Sequence, residues 1–237
     1  MSLRSRAIAL VRRAGAPVGS VMRVRTDEPV VIATFDDGPS FRTAGVLDAL
    51  AESGATATFF VLLTRTRRDP GLLDDILGAG HEVALHGVDH RRLTTLPPET
   101  LHGRMRDART ELEDLAGRPV RWFRPPYGAQ SLRSWRAVKA AGMEPVLWGP
   151  TLADWRDAPH DERLRLALSA ERGGIVLGHD GHADAVDGVD DGPAPGVDHP
   201  RLVREVIAGY GERGLRLTSL GEAAAHGRLV REARFRS

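Results

Sequence analysis

The 237-residue chain contains no cysteine, which excludes disulfide bonds and thiolate metal sites. Any metal would therefore be held by histidine or carboxylate side chains. The chain also lacks an apolar run of the roughly 18 residues that a transmembrane helix needs, so we predict no membrane span. Neither sign of charge dominates, since the formal net charge is +1. Overall charge thus gives no reason to expect a nucleic-acid partner.

The N-terminal residues 1–24 are rich in arginine and contain no recognisable secretory signal. Their longest apolar stretch, Ala7–Val11, is shorter than the apolar core of about 7–15 residues in a typical signal peptide. We interpret this segment as a poorly packed extension or a short helix, with a basic, weakly amphipathic surface anchor as the alternative. The missing signal predicts a cytoplasmic location.

From Val30 onward, short apolar runs alternate with stretches of helical periodicity. Strands are predicted at Val30–Phe35, Thr56–Leu62, Glu82–Leu85, Val120–Phe123, Pro145–Trp148, Gly174–Leu177 and Leu215–Thr218. Helices are predicted at Thr43–Ser53, Pro70–Ala79, Pro98–Ala116, Leu132–Ala141, Glu162–Glu171 and His199–Arg213. Repeated strand–helix units favour an α/β fold with a parallel sheet, and about seven units in one domain favour a closed or incompletely closed barrel.

Two short strings supply the side chains of a metal-dependent hydrolase. Asp36 and Asp37 follow the first apolar strand, and His86 and His90 lie four positions apart after the third. Two histidines and one carboxylate would leave a coordination position open for water and substrate. The second carboxylate could then accept the proton of that water. Taken alone, the Asp36–Pro39 string could be a simple turn, and a lone histidine pair is weak evidence for ligands.

Three further groups follow later strands. Arg124 and Tyr127 belong to the string Arg-Pro-Pro-Tyr-Gly, in which the prolines restrict the backbone and could hold the arginine and the Tyr127 N–H in place. The pair Asp154–Trp155 and the lone His179 are individually weak signals, because each could be structural. All of these groups lie at the carboxyl ends of strands, where barrel active sites assemble, so we expect them to converge.

These motifs, in this order, resemble those of the polysaccharide deacetylases of the NodB-homology type, carbohydrate esterase family 4. The resemblance spans roughly Val30 to Leu220 and implies that family's distorted (β/α) barrel. It divides the chain into a basic N-terminal extension (1–28), a NodB-like deacetylase domain (29–225) and a C-terminal tail (226–237). It also implies the family's reaction, the metal-dependent removal of N-acetyl groups from an N-acetylated carbohydrate.

The resemblance further assigns roles to individual residues. It implies that Asp37, His86 and His90 bind one divalent metal, commonly zinc, while Asp36 is the general base. It implies that His179 is the general acid. The remaining residues would support these groups: Arg124 orients Asp36, Asp154 raises the pKa of His179, the Tyr127 N–H stabilises the oxyanion, and Trp155 and Leu177 line the acetyl pocket.

The chain departs from the family pattern at two positions. Gly87 stands where a serine or threonine is usual, and Thr151 stands where an aspartate often begins the fourth motif. The segment Asp180–His199, rich in glycine, proline and aspartate, lies outside the common core. It could be a solvated surface loop, a lid or substrate-contacting loop, or a second metal site, although no ligand spacing within it is diagnostic.

Two other functions stay open on sequence grounds. The chain could be an amide or ester hydrolase acting on a small non-carbohydrate substrate, and its aromatic content of 5% is mildly against a long sugar-stacking groove. It could also be a non-catalytic carbohydrate-binding derivative of the fold. The complete set of Asp36, Asp37, His86, His90 and His179 argues against that second alternative, since sugar binding alone needs no such set.

Overall fold

The computed structural model describes residues 18–236, and its strands and helices are as follows. The strands are β1 (Ser20–Arg25), β2 (Val30–Asp36), β3 (Thr58–Leu62), β4 (Glu82–Gly87), β5 (Trp122–Phe123), β6 (Glu144–Pro145), β7 (Ile175–His179), β8 (Arg216–Thr218) and β9 (Arg228–Glu232). The α-helices are α1 (Thr43–Ala51), α2 (Leu63–Arg68), α3 (Pro70–Gly78), α4 (Pro98–Ala116), α5 (Leu132–Ala140), α6 (His160–Ala167), α7 (His199–Gly211) and α8 (Leu220–Ala225).

The centre of the fold is a seven-stranded parallel sheet in the order β6-β5-β4-β3-β2-β7, with β8 paired to the start of β2. Every residue of β2 is buried, as expected for a central parallel strand covered on both faces. The sheet is curled into a half-barrel. Single β-bridges, such as Thr151↔Leu177 and Val21↔Val146, lie in the irregular gap between the edge strands β6 and β7. The predicted distorted barrel of about seven parallel strands is confirmed.

Two hydrophobic clusters flank the sheet. The larger one joins one face of the strands to the surrounding helices. The smaller one fills the inside of the curl with Ile32, Phe60 and Trp122, together with Val21 and Val24 from β1. The interior is therefore packed with side chains, and what remains open is the rim at the carboxyl ends of the strands.

The interpretation of residues 1–24 as a poorly packed extension or short helix is wrong for its described part. Strand β1 pairs antiparallel with β9 in a separate two-stranded sheet, and Val21 and Val24 are fully buried. Exposed arginines such as Arg23 alternate with the buried apolar residues of this strand, so the apolar residues form no continuous run in the sequence. Residues 1–17 lie outside the described residues, and the proposed limits of the three segments stay a prediction.

The six expected helices are present, with shifts of one to four residues at some ends. Helices α2 and α8, of six residues each, were not expected, since both are too short for a clear apolar period. Within residues 18–236, every helix is too short or too polar to cross a bilayer.

Candidate active site

A pocket of about 380 Å³ opens at the carboxyl ends of the strands. Most of the residues singled out from the sequence line it: Asp36, Asp37, His86, His90, Tyr127, Trp155, Leu177 and His179. The other two, Arg124 and Asp154, are buried behind the wall of the pocket against Asp36 and His179. The structure thus brings all ten residues together, although they lie in strands and loops far apart in sequence.

Asp37, His86 and His90 form a buried cluster whose ligand atoms lie within 4.8 Å of one another. The Nε2 atoms of His86 and His90 lie 3.2 Å and 3.1 Å from Asp37 Oδ1. Asp37 follows β2 in a left-handed conformation, with φ of 68°, which turns the backbone just after Asp36. Burial by itself raises the pKa of Asp37. The hydrogen bonds with the two histidines act in the opposite direction, and the net pKa lies well below the ordinary value.

The cluster fits a divalent cation. Two imidazole nitrogens and one carboxylate oxygen are a common set of ligands for such ions, and three protein ligands leave room for a water or a substrate. The Nδ1 atom of His86 lies 2.8 Å from the carbonyl oxygen of Arg124, so this nitrogen carries the proton and Nε2 is left to bind metal. This Asp-His-His triad is the divalent-metal site of the protein.

Asp36 is held by a fully buried arginine. Arg124 Nη1 donates to Asp36 Oδ1 at 2.7 Å and to the hydroxyl of Thr34 at 2.9 Å. The guanidinium also stacks on the ring of Phe60, with 4.1 Å between its carbon and the ring centroid. Burial lowers the pKa of Arg124, and the charge of Asp36 opposes this. The arginine therefore fixes one oxygen of Asp36 and leaves the other free to face the pocket.

His179 lies beside Asp36, because the two residues are Cα partners across the parallel pair β2–β7. Its Nδ1 atom lies 2.7 Å from Asp154 Oδ1, and its backbone N–H donates to Asp154 Oδ2 at 2.8 Å. Burial lowers the pKa of His179, but the charge and hydrogen bond of the Asp154 carboxylate, together with the charges of Asp37 and Asp36, raise it to about 9. The imidazolium form is thus favoured at neutral pH, with Nε2 available as a donor.

Tyr127, Trp155 and Leu177 occupy the walls of the pocket. Tyr127 lies in a short 3₁₀ turn, Pro126–Gly128, and has a φ of 58°, which is uncommon for a residue with a side chain. The ring of Trp155 is 45% exposed and meets the His179 ring edge-on at 5.9 Å between centroids. A partly exposed indole at the mouth of a pocket is a suitable surface for a sugar ring.

The two departures from the family pattern have local explanations. A side chain at Gly87 would place its Cβ 2.5 Å from the carbonyl oxygen of Asp89, so the loop between the two histidines has no room for one. The hydroxyl of Thr151 accepts the backbone N–H of Ala153 at 3.1 Å. That bond shapes the turn that presents Asp154.

Three polar residues of the pocket had no individual role assigned from the sequence: His182, Asp191 and Arg236. The first two belong to the segment Asp180–His199, which therefore lines the pocket in part. Arg236 comes from the C-terminal end and donates to the carbonyl oxygen of Tyr127 at 2.7 Å. No sequence motif identifies these residues, because the position of each one in the pocket depends on the path of a segment without apolar periodicity.

Comparisons with known proteins agree with this geometry. A family model described as "Polysaccharide deacetylase" matches residues 23–146. A peptidoglycan-N-acetylglucosamine deacetylase of Bacillus cereus is 34% identical over 74% of this chain and 84% of its own length. A chitooligosaccharide deacetylase of Azorhizobium caulinodans is 34% identical over 69% of this chain and 80% of its own.

Among solved structures, a family 4 carbohydrate esterase of Streptomyces lividans, in complex with acetate, shares the fold. It superposes with a TM-score of 0.71 and 23% identity, over 87% of this chain and all of its own length. The family model covers the strands that carry the metal triad, and the two relatives extend the match across most of the chain. The chain belongs to the polysaccharide deacetylase family, that is, carbohydrate esterase family 4 of the NodB-homology type. It is a metal-dependent carbohydrate N-deacetylase.

Proposed function

We propose that this protein hydrolyses the acetamido group of N-acetylglucosamine units in an oligosaccharide or polysaccharide, with zinc as its metal. The observation that carries the proposal is the placement of Asp36 and His179 side by side at the metal triad, one held by Arg124 and the other by Asp154. The relatives named above act on peptidoglycan N-acetylglucosamine and on chitooligosaccharides, which supports this substrate class.

The chemistry divides between the two sides of the pocket. A bound divalent cation supplies a Lewis acid that polarises the amide carbonyl and makes the attacking water more acidic. Asp36, held through one oxygen by Arg124, accepts the proton of that water with its other oxygen. The backbone N–H of Tyr127 donates to the oxygen that becomes negatively charged in the transition state.

His179 completes the reaction by protonating the departing nitrogen, since an amine leaves poorly as an anion. The Asp154 carboxylate keeps the imidazole protonated and oriented for that step. Trp155 and Leu177 line the pocket and provide apolar contacts for the methyl group of the acetamide. Because Asp36 and His179 come from neighbouring strands, the base and the acid can address opposite sides of the scissile bond.

The test is acetate release from N-acetylglucosamine oligomers of graded length, compared with a simple acetylated amine that has no sugar ring. We expect release from the oligomers that is lost with a chelator and restored by zinc. Asp36→Asn should reduce the rate by about 10²–10⁴-fold, in the range of a lost general base. The matched control is Asp75→Asn, which removes an exposed carboxylate on α3.

Each other outcome has a definite meaning. Equal rates on the oligomers and the simple amide would favour the non-carbohydrate hydrolase. No release from any oligomer by the zinc-loaded protein would reject N-acetylglucosamine as the substrate. Full activity of Asp36→Asn would remove Asp36 from the role of base.

A further inference from the structure

The segment Asp180–His199 is anchored beside the metal triad through Asp187. The backbone N–H of His90 donates to the carbonyl oxygen of Asp187 at 2.9 Å. The Asp187 carboxylate is fully buried, and it accepts from Arg65 at 2.6 Å and 3.0 Å and from the hydroxyl of Thr64 at 2.7 Å. These bonds fix the backbone of the segment at Asp187, a few residues before Asp191, which lines the pocket.

Asp191 lies in the same segment and reaches into the pocket. Its Oδ2 atom is 3.2 Å from His90 Nδ1, the ring nitrogen that points away from Asp37. The phenol of Tyr127 donates to the same carboxylate, at 2.7 Å from Oδ1 and 2.9 Å from Oδ2. The rings of His90 and Tyr127 are also in contact, with their centroids 4.4 Å apart. One carboxylate thus contacts both a metal ligand and the residue whose N–H has the proposed role of binding the oxyanion.

The two histidines of the triad differ in what holds their second ring nitrogen. A metal-binding histidine nearly always donates its other N–H to a carboxylate or a carbonyl, which fixes the ring and strengthens the ligand. His86 has the carbonyl oxygen of Arg124 for this purpose. The Nδ1 atom of His90 is buried and makes no hydrogen bond to the described residues, and the acceptor facing it is Asp191.

We propose that Asp191 is the positioning residue for His90 and Tyr127, so that the segment Asp180–His199 contributes directly to metal binding. When Nε2 of His90 binds the cation, its Nδ1–H donates to Asp191. The negative carboxylate makes the imidazole a stronger ligand and holds its plane toward Asp37. Through the Tyr127 phenol, the same carboxylate steadies the turn that presents the Tyr127 N–H.

This inference rests on the metal triad in the proposed function, and it is tested by metal binding without substrate. The probe is zinc alone, titrated into metal-free protein in competition with a chromophoric chelator. We expect Asp191→Ala to weaken zinc binding by about 10–100-fold, the usual cost of removing such a partner. The matched control is Asp74→Ala, which removes an exposed carboxylate on α3 that does not line the pocket, and it should leave zinc affinity within about two-fold.

Two further variants separate positioning from a merely structural role of the segment. Tyr127→Phe removes only the phenolic hydroxyl, so zinc affinity should stay near that of the parent while the rate of acetate release falls. Asp191→Asn keeps the size of the side chain and an acceptor for Tyr127, but it removes the charge that faces His90. We expect its zinc affinity to fall between those of the parent and Asp191→Ala.

Thermal unfolding of each metal-free variant shows whether the fold is intact, and Asp191→Asn decides the matter if the alanine variant unfolds. Zinc affinity equal to that of the parent in a folded Asp191 variant would overturn the proposal. An equal loss in the Asp74→Ala control would overturn it as well. Because zinc binding needs no substrate, a wrong choice of sugar in the proposed function would leave this result intact.

Discussion

Asp154 makes two hydrogen bonds with His179: one carboxylate oxygen bonds the ring nitrogen Nδ1 and the other accepts the backbone N–H. The side chain of Asp154 has no exposure to solvent, so little water screens its charge. Burial by itself lowers the pKa of the imidazole, and Asp154, with added contributions from the charges of Asp37 and Asp36, raises it to about 9.

The first prediction concerns the pH dependence of Asp154→Asn. An acid catalyst works only while it is protonated, so activity is lost as pH rises through the pKa of His179. Asparagine removes the charge, and the alkaline limb of kcat/KM should move from about 9 toward or below the ordinary histidine value of 6.5. The rate at the optimum should also fall. The exposed carboxylate variant Asp157→Asn should keep the parent profile, and an unshifted limb in Asp154→Asn would contradict the pairing.

The second prediction concerns the triad itself. His90→Ala removes one of the three ligands, so metal content after dialysis against dilute zinc should fall well below one ion per chain. The measurement is elemental analysis of the dialysed protein. His102→Ala, which removes an exposed imidazole on α4, is the control and should leave the stoichiometry unchanged. Full occupancy of the His90 variant would exclude His90 as a ligand.

The grouping of the candidate site residues could be predicted from the sequence because they follow strands that have a strong apolar pattern. Asp36, His86 and His179 each end or follow a run that is buried in the sheet, and parallel strands bring their carboxyl ends to one rim. Periodicity therefore located the residues, and the resemblance of the motifs is the source of the roles proposed for them.

Other parts of the molecule have no such local signal. In β1 the exposed arginines dominate the composition, and the strand becomes recognisable only once it pairs with β9, some two hundred residues later. Asp191 lies in a glycine- and proline-rich segment among several other acidic residues. Its contact with His90 depends on the anchor at Asp187, which is a tertiary interaction with Arg65 and Thr64.

The third prediction concerns that anchor. Asp187→Ala removes the closest ion-pair partner of the buried Arg65 guanidinium, which keeps only the Asp184 carboxylate at 3.9 Å and the carbonyl oxygen of His182. Removing one member of a buried pair typically costs about 3–5 kcal/mol. The free energy of unfolding from urea titration should fall accordingly. The control is Glu52→Ala, which breaks the solvent-exposed pair with Arg204 and should have a much smaller effect. Equal changes in the two variants would mean that Asp187 is not an anchor.

The fourth prediction concerns the close approach of Gly38 to Asp180. A Cβ atom at Gly38 would lie 2.1 Å from Asp180 Oδ2, and this carboxylate is fixed by the hydroxyl of Thr43 at 2.6 Å. Gly38→Ala should therefore lower the free energy of unfolding by about 1–3 kcal/mol, as overpacking usually does. Gly78→Ala on α3 has open space around its Cβ and is the control.

A double-mutant cycle identifies the cause of that loss. If the clash with the carboxylate is responsible, Gly38→Ala should cost less in the Asp180→Ala background, where the atoms it would strike are absent. The same cost in both backgrounds would instead place the strain in the backbone of the turn after Asp37. Because this turn presents Asp37 to the metal, zinc affinity of Gly38→Ala should fall together with stability and recover in the double variant.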